Sequence, residues 1–301
     1  MSPLGWLSRR KSQDLSSHAI FIPHLGRFGN ALKEIVLAIG VAERSGVGNV
    51  FFAGDNVFAT HSDLPHPGIH ETGHGVKVWI DTPVSRKHDR FETLITWSRM
   101  KVSISGKVAD QAWESARKSL GLDSSETPFD SETLVVHLRG GDVFSERNVS
   151  NYGQPPLAFY LAVLRHRKWK SVVIVHQDLK NPVLEGLVAA CEARNISYTT
   201  FSGALSEDLP VLLKAQNLVA GRGTFVPAVA GLSQHVKTVY FFEDKFVMFP
   251  PRSGLTIVRI VDTKGDYRAS VLQGQWRNSP EQLEMMLNYP EKNLGIDRGP
   301  Q

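Results

Sequence analysis

The stretch Thr133-Leu-Val-Val-His-Leu-Arg-Gly-Gly-Asp142 constrains this chain more than any other. A short apolar strand runs straight into His137, Arg139 and Asp142, with only glycine between the last two. An apolar run that ends in polar groups and glycines is how an α/β protein delivers reactive side chains to the carboxyl edge of its sheet, where ligands bind. The planar guanidinium of Arg139 can grip two phosphate oxygens at once, and Gly140 and Gly141 would let a large anion approach the backbone. That points to a diphosphate site. The same residues would also serve as a strand-end ion pair between Arg139 and Asp142.

The rest of the chain repeats the pattern of strand, polar loop and helix. Ala19–Ile22 is expected as a first strand, then the loop 23–30, then a helix from Ala31 to about Ser45 with Leu32, Ile35, Val36, Ile39 and Ala42 in helical spacing. Val50–Ala53 and Val76–Ile80 read as strands, and Ala109–Leu120 as an amphipathic helix. The polar segment 121–131, with Pro128, is the expected linker. Beyond it, strands are expected at Leu134–Leu138, Ser171–His176, Leu218–Ala220 and Thr238–Phe242. Helices are expected at Pro156–Arg167, Pro182–Arg194, Ser206–Ala215 and Pro227–Leu232, which makes a parallel sheet with crossover helices. The expected domains are 17–122 and 131–275, each Rossmann-like, with 276–301 as a C-terminal helix and tail.

Composition narrows the partners. A net charge of +4 and a pI near 9.1 favour an anionic ligand, but no Lys/Arg run is interleaved with aromatics, so nucleic acid is not expected. Cys191 is the single cysteine, which leaves no intrachain disulfide and no cysteine-based zinc cluster. The histidines at 61, 66, 70 and 74 lie among prolines and glycines, and a wet loop spanning 54–75 is expected there rather than a metal site. No stretch approaches the roughly 20 apolar residues of a membrane span, and the first eleven residues lack the positive-then-apolar order of a signal peptide. The expected location is the cytoplasm, with the Golgi in view only if the sequence is a truncated one.

Four strand exits collect polar groups: 23–30, 137–144, 176–181 and 221–225. Gly221-Arg-Gly-Thr-Phe225 precedes a helix, and the amides at a helix start with the hydroxyl of Thr224 beside them suit a phosphate; Thr224 could equally cap that helix. Gln177 and Asp178 could reach a base or ribose, or cap the helix after Pro182. There is no G-x-G-x-x-G, no G-x-x-x-x-G-K-[ST] and no Asp-x-Asp in the chain. Dehydrogenase and P-loop readings therefore lack support, and a nucleotide-sugar enzyme would have to neutralise its leaving group without a metal held by an Asp-x-Asp pair.

His137-Leu-Arg-Gly-Gly-Asp142 resembles the His-x-Arg-x-Gly-Asp motif of the inverting fucosyltransferase superfamily, which holds the α1,2-, α1,6- and protein O-fucosyltransferases. Gly26-Arg-Phe-Gly-Asn30 is similar to that group's Gly-Gly-x-Gly-Asn opening, with Arg27 in place of the second glycine. The span from Ser206-Glu-Asp-Leu209 to Gly223-Thr-Phe225 resembles its C-terminal motif, and His176-Gln-Asp178 stands where such enzymes often carry an acidic strand end. Gly140 stands where many members have a second arginine, and the Ser-Trp-Trp of many α1,2-enzymes is absent.

The resemblance implies a GT-B-like α/β fold, two Rossmann-type domains with parallel sheets facing a cleft. It also implies an inverting transfer of fucose from GDP-fucose to a glycan or other hydroxyl acceptor, with no metal and no other cofactor. Arg139 and Asp142 would be catalytic. Gly29, Asn30, His137, Arg139, Gln177, Asp178, Asp208, Gly223, Thr224 and Phe225 would bind the donor. The alternatives are a non-catalytic nucleotide- or glycan-binding protein of the same fold and a transferase for another nucleotide sugar.

Overall fold

A computed structural model describes residues 14–22, 28–53, 68–82, 94–96, 104–120, 122, 127–145, 152–243, 252–273 and 276–297. The chain is α/β and divides into two units, 1–125 with 247–253 and 126–246 with 254–301, so it enters the first unit twice. Each unit is built on one mainly parallel sheet. No helix among the described residues is long and apolar enough to cross a membrane.

The first unit runs β1 (Ala19–Ile22), α1 (Phe28–Ser45), β2 (Asn49–Ala53), β3 (Gly68–Glu71), β4 (Lys77–Thr82), β5 (Leu94–Thr96) and α2 (Gly106–Ser119). Its strand order is β3-β4-β2-β1-β5, with β3 antiparallel to β4 and the other pairs parallel. The apolar stripe of α1 is buried as its spacing requires, from Leu32 through Ile35, Val36 and Ile39 to Ala42. The helix starts three residues earlier than expected, because Phe28 is itself buried and extends the apolar face. Gly29 and Asn30 thereby lie in its first turn rather than in a loop.

Of the loop expected over 54–75, residues 54–67 lie outside the described residues, and the remainder is not all loop. Residues 68–71 form β3, and the turn that returns the chain to β4 closes with Gly75 N donating to Thr72 O at 3.0 Å, while Gly75 takes φ +77°. Glycine is what that backbone needs. His61 and His66 lie outside the described residues; among the described residues no group of three or more His, Cys, Asp or Glu could hold a metal ion.

The second unit runs β6 (Thr133–Leu138), a 3₁₀ turn at Gly141–Phe144, α3 (Leu157–His166), β7 (Ser171–His176), α4 (Val183–Ala193), β8 (Ser197–Phe201), α5 (Leu205–Leu213), β9 (Asn217–Val219), α6 (Phe225–Leu232), β10 (Thr238–Phe242), β11 (Thr256–Asp262), a π-helical turn at Arg268–Leu272, α7 (Pro280–Asn288) and β12 (Leu294–Asp297). The strand order is β12-β11-β10-β9-β6-β7-β8, parallel except for β12 against β11. The central strand β6 is buried from Thr133 to Val136 and again at Leu138, so its apolar run reflects cover on both faces. Leu134, Val136 and Leu138 pack into one core with Phe159, Tyr160, Val172 and Ile174, each buried side chain contributing about 1.5–3 kcal/mol. Trp276, Met286 and Tyr289 join that core, and α7 begins on Ser279, whose hydroxyl accepts from Gln282 N.

Candidate functional site

The path of the second sheet decides where a ligand can sit. From β6 the chain moves outward to β7 and β8 and then returns to the other side of β6 as β9. Neighbours β6 and β9 are in register through Leu134 opposite Asn217 and Val136 opposite Val219. Their exits run in opposite directions, which opens a crevice at the carboxyl edge. Arg139 leaves β6 at that crevice, and Gly221–Phe225 leaves β9 there.

Arg139 is held from several sides. Its carbonyl accepts from Asn181 Nδ2 at 2.9 Å, and the Asn181 Oδ1 accepts from Val183 N at 3.1 Å, so one buried amide ties the motif to the start of α4. Its Nη2 lies 3.5 Å from Asp142 Oδ1, with the two side chains 17% and 33% exposed. The Tyr152 ring centroid is 5.0 Å from the guanidinium carbon. Only glycine fits opposite, since a Cβ on Gly223 would come within 2.8 Å of Arg139 Nη1 and the backbone there takes φ +129°. Among the described residues, the long contact to Asp142 is the hydrogen bond made by the five N–H donors of this guanidinium.

The glycines after Arg139 have a different explanation from the one their sequence suggests. The side chains of the β7 exit occupy the space beside them: a Cβ on Gly140 would lie 2.1 Å from Asp178 Oδ1, and one on Gly141 2.4 Å from Gln177 Nε2. Asp178 bridges the two exits, its Oδ2 accepting from Gly141 N at 2.9 Å and its Oδ1 from Lys180 N at 3.0 Å. Both oxygens thus serve main-chain amides, which makes Asp178 a lock on the Arg139 loop. Gln177 is exposed beside Gly141.

The β9 exit supplies a helix start. Thr224 adopts φ −94° and ψ −9° before α6 and makes no side-chain cap hydrogen bond, while its carbonyl accepts from Ala228 N at 3.2 Å. The first amides of a helix find no partner inside it and carry its positive end. Phe225 packs its ring against His137, with centroids 4.9 Å apart and the planes tilted by 49°. Beneath the loop, the fully buried Gln154 accepts from Arg222 N at 3.1 Å.

His137 is kept neutral. Burial, and then the Arg139 guanidinium, pull its pKa down to about 3, and its Nδ1 is shut off from solvent with no hydrogen-bond partner among the described residues. The unfolded chain takes up this proton near pH 6.5, so the contribution of a neutral His137 is complete above that pH and is lost as pH falls. Stability of the parent is expected to drop by about 3 kcal/mol more than that of His137→Asn between pH 6.5 and 4. Denaturant melts across that range check it, and equal slopes for the two proteins would contradict it.

Asp208, and the pair Gly29 and Asn30, stand on other elements. Asp208 lies in the first turn of α5 after β8, where its Oδ1 accepts from Gly203 N at 3.1 Å; burial raises its pKa, and that hydrogen bond opposes the rise. Gly29, buried, and Asn30, exposed, belong to the first unit, at the exit of β1 where that sheet's own order reverses between β1 and β5. Tyr152, Gln154 and Asn181 were not legible in the sequence. Gln154 meets Arg222 across 68 positions, and Tyr-Gly-Gln-Pro-Pro reads locally as nothing more than a turn.

No family model matches this chain, and no curated protein matches it. Solved structures do. The E. coli heptosyltransferase WaaC with ADP is 9% identical over 80% of this chain and 93% of its own, with a TM-score of 0.40. POFUT1 in complex with GDP is 13% identical over 77% and 100%, at 0.39. The family 9 glycosyl transferase of Veillonella parvula is 13% identical over 82% and 87%, at 0.38. These values are too low to assign the chain to any of the three groups.

Proposed function

We propose that this protein is an inverting, metal-independent glycosyltransferase of GT-B type that moves fucose from GDP-fucose to a glycan or other hydroxyl acceptor. One observation carries the reading: a mostly buried guanidinium, with one long hydrogen bond among the described residues, stands beside a helix start at the reversal point of a mainly parallel sheet. Such a pairing of Arg139 with the Thr224–Phe225 segment suits a diphosphate, because both parts favour negative charge and neither needs a metal.

In the reaction, the acceptor oxygen bonds to the anomeric carbon as the bond from that carbon to the β-phosphate oxygen breaks. The electron pair leaves with GDP. Charge therefore grows on the β-phosphate, where Arg139 and the Thr224 hydroxyl would meet it, and a preorganised donor of this kind contributes about 3 kcal/mol or more. Asp142 orients Arg139 and is the carboxylate beside it that could take the acceptor's proton. Gln177 reaches the base or ribose, Asp178 holds the Arg139 loop, and His137 with Phe225 forms the apolar floor.

The test is a panel of GDP-, UDP- and ADP-sugars followed for hydrolysis with and without EDTA. GDP-fucose should be consumed, and the rate should survive EDTA. Consumption of another sugar instead would replace the donor. Binding without turnover would make the chain a non-catalytic nucleotide-binding protein, and EDTA abolition with Mn²⁺ rescue would overturn the metal-free mechanism.

A further inference from the structure

The segment Tyr152–Gln154 runs beneath both anion-binding elements. Tyr152, 37% exposed, places its ring 5.0 Å from the Arg139 guanidinium carbon. Two residues on, Gln154 is fully buried with both polar atoms of its side chain hydrogen-bonded: Oε1 accepts from Arg222 N at 3.1 Å and Nε2 donates to Tyr152 O at 3.0 Å. The Gln154 carbonyl accepts from the Tyr267 hydroxyl at 2.6 Å. Gly153, between them, fits only because it has no side chain, since a Cβ there would lie 2.2 Å from Val271 O. Arg222 in turn donates from Nη1 to Leu272 O at 2.6 Å. One three-residue segment thus touches the β6 exit at Arg139, the β9 exit at Arg222 and the turn at Arg268–Leu272.

We propose that Tyr152 and Gln154 are positioning residues that fix Arg139 and the Gly221–Phe225 loop relative to each other before a diphosphate arrives. This rests on the diphosphate reading given above. The Arg139 guanidinium carbon lies over the Tyr152 ring at 5.0 Å, a contact that restricts where the side chain can swing while using none of its N–H donors. Gln154 holds the Arg222 amide, so the backbone reaching Thr224 keeps one path. Ordering both parts in the free protein removes a cost that binding would otherwise bear.

Calorimetry with three probes, GDP, inorganic pyrophosphate and guanosine, tests the proposal on the parent, Tyr152→Phe and Tyr152→Ala. Tyr152→Ala should weaken GDP and pyrophosphate about three- to tenfold, the range of a partly exposed cation–π contact, and leave guanosine and the melting temperature unchanged. Tyr152→Phe, which keeps the ring, should bind within about twofold of the parent. Gln154→Leu should weaken pyrophosphate too, but its buried site makes the surface variant the deciding one. If Tyr152→Ala binds pyrophosphate like the parent, or weakens guanosine as much as GDP, the positioning role is wrong. Equal losses from the Phe and Ala variants would also overturn it, by tracing the effect to the hydroxyl. A parent that binds neither GDP nor pyrophosphate sinks the proposed function itself, and this inference with it.

Discussion

Arg139→Ala is expected to remove transfer, by at least about a hundredfold, while the protein melts close to the parent temperature. The rate loss follows from about 3 kcal/mol of lost stabilisation on the leaving diphosphate. Stability should change little, because among the described residues the ion-pair partner of Arg139 is Asp142 at 3.5 Å, a carboxylate one-third exposed that can be solvated once the arginine is gone. Arg139→Lys should recover only part of the rate, since an ammonium cannot grip two oxygens side by side. Initial rates on GDP-fucose and a thermal melt decide it together. A variant that melts far lower while its folded fraction stays active would make Arg139 a structural residue of the strand end.

Gly140→Ala should be nearly as damaging, for a reason that lies on the neighbouring strand. The new methyl would sit 2.1 Å from Asp178 Oδ1, and that carboxylate can retreat only by giving up its bonds to Gly141 N and Lys180 N. Hydrogen bonds to a charged acceptor are worth about 1.5–3 kcal/mol, so a stability loss of about 2 kcal/mol and weakened pyrophosphate binding are expected. The clash also predicts coupling. Gly140→Ala combined with Asp178→Ala should cost less than the sum of the two single changes, by about 1 kcal/mol in chemical denaturation. Strict additivity would place the Asp178 carboxylate away from Gly140.

The sequence carried the exits of the second sheet because each is written locally. Leu134–Leu138, Ser171–His176 and Thr238–Phe242 are apolar runs that stop at polar residues, and a parallel sheet aligns such stops along one edge. The α/β class and the buried faces of the helices follow from the same periodicity. Other parts had weaker signals or none. Ser197-Tyr-Thr-Thr-Phe201 is an edge strand exposed throughout, so no apolar pattern marks it. Thr256-Ile-Val-Arg-Ile-Val-Asp262 is different: its β-branched residues carry a strand signal of their own. The glycine pair after Arg139 shows a limit of another kind. Composition says that a side chain is unwelcome at 140 and 141, yet only the fold reveals that Asp178 and Gln177 occupy the space. Tyr152 and Gln154 illustrate the same limit, because their roles exist only through partners 13 or more positions away along the chain.

The most direct test of the central claim is a crystal structure of the protein with GDP. The β-phosphate is expected at the carboxyl edge between β6 and β9, within hydrogen-bond reach of the Arg139 guanidinium and of the Thr224–Phe225 segment. A nucleotide bound elsewhere, with Arg139 still turned to Asp142 and no phosphate at the start of α6, would contradict it.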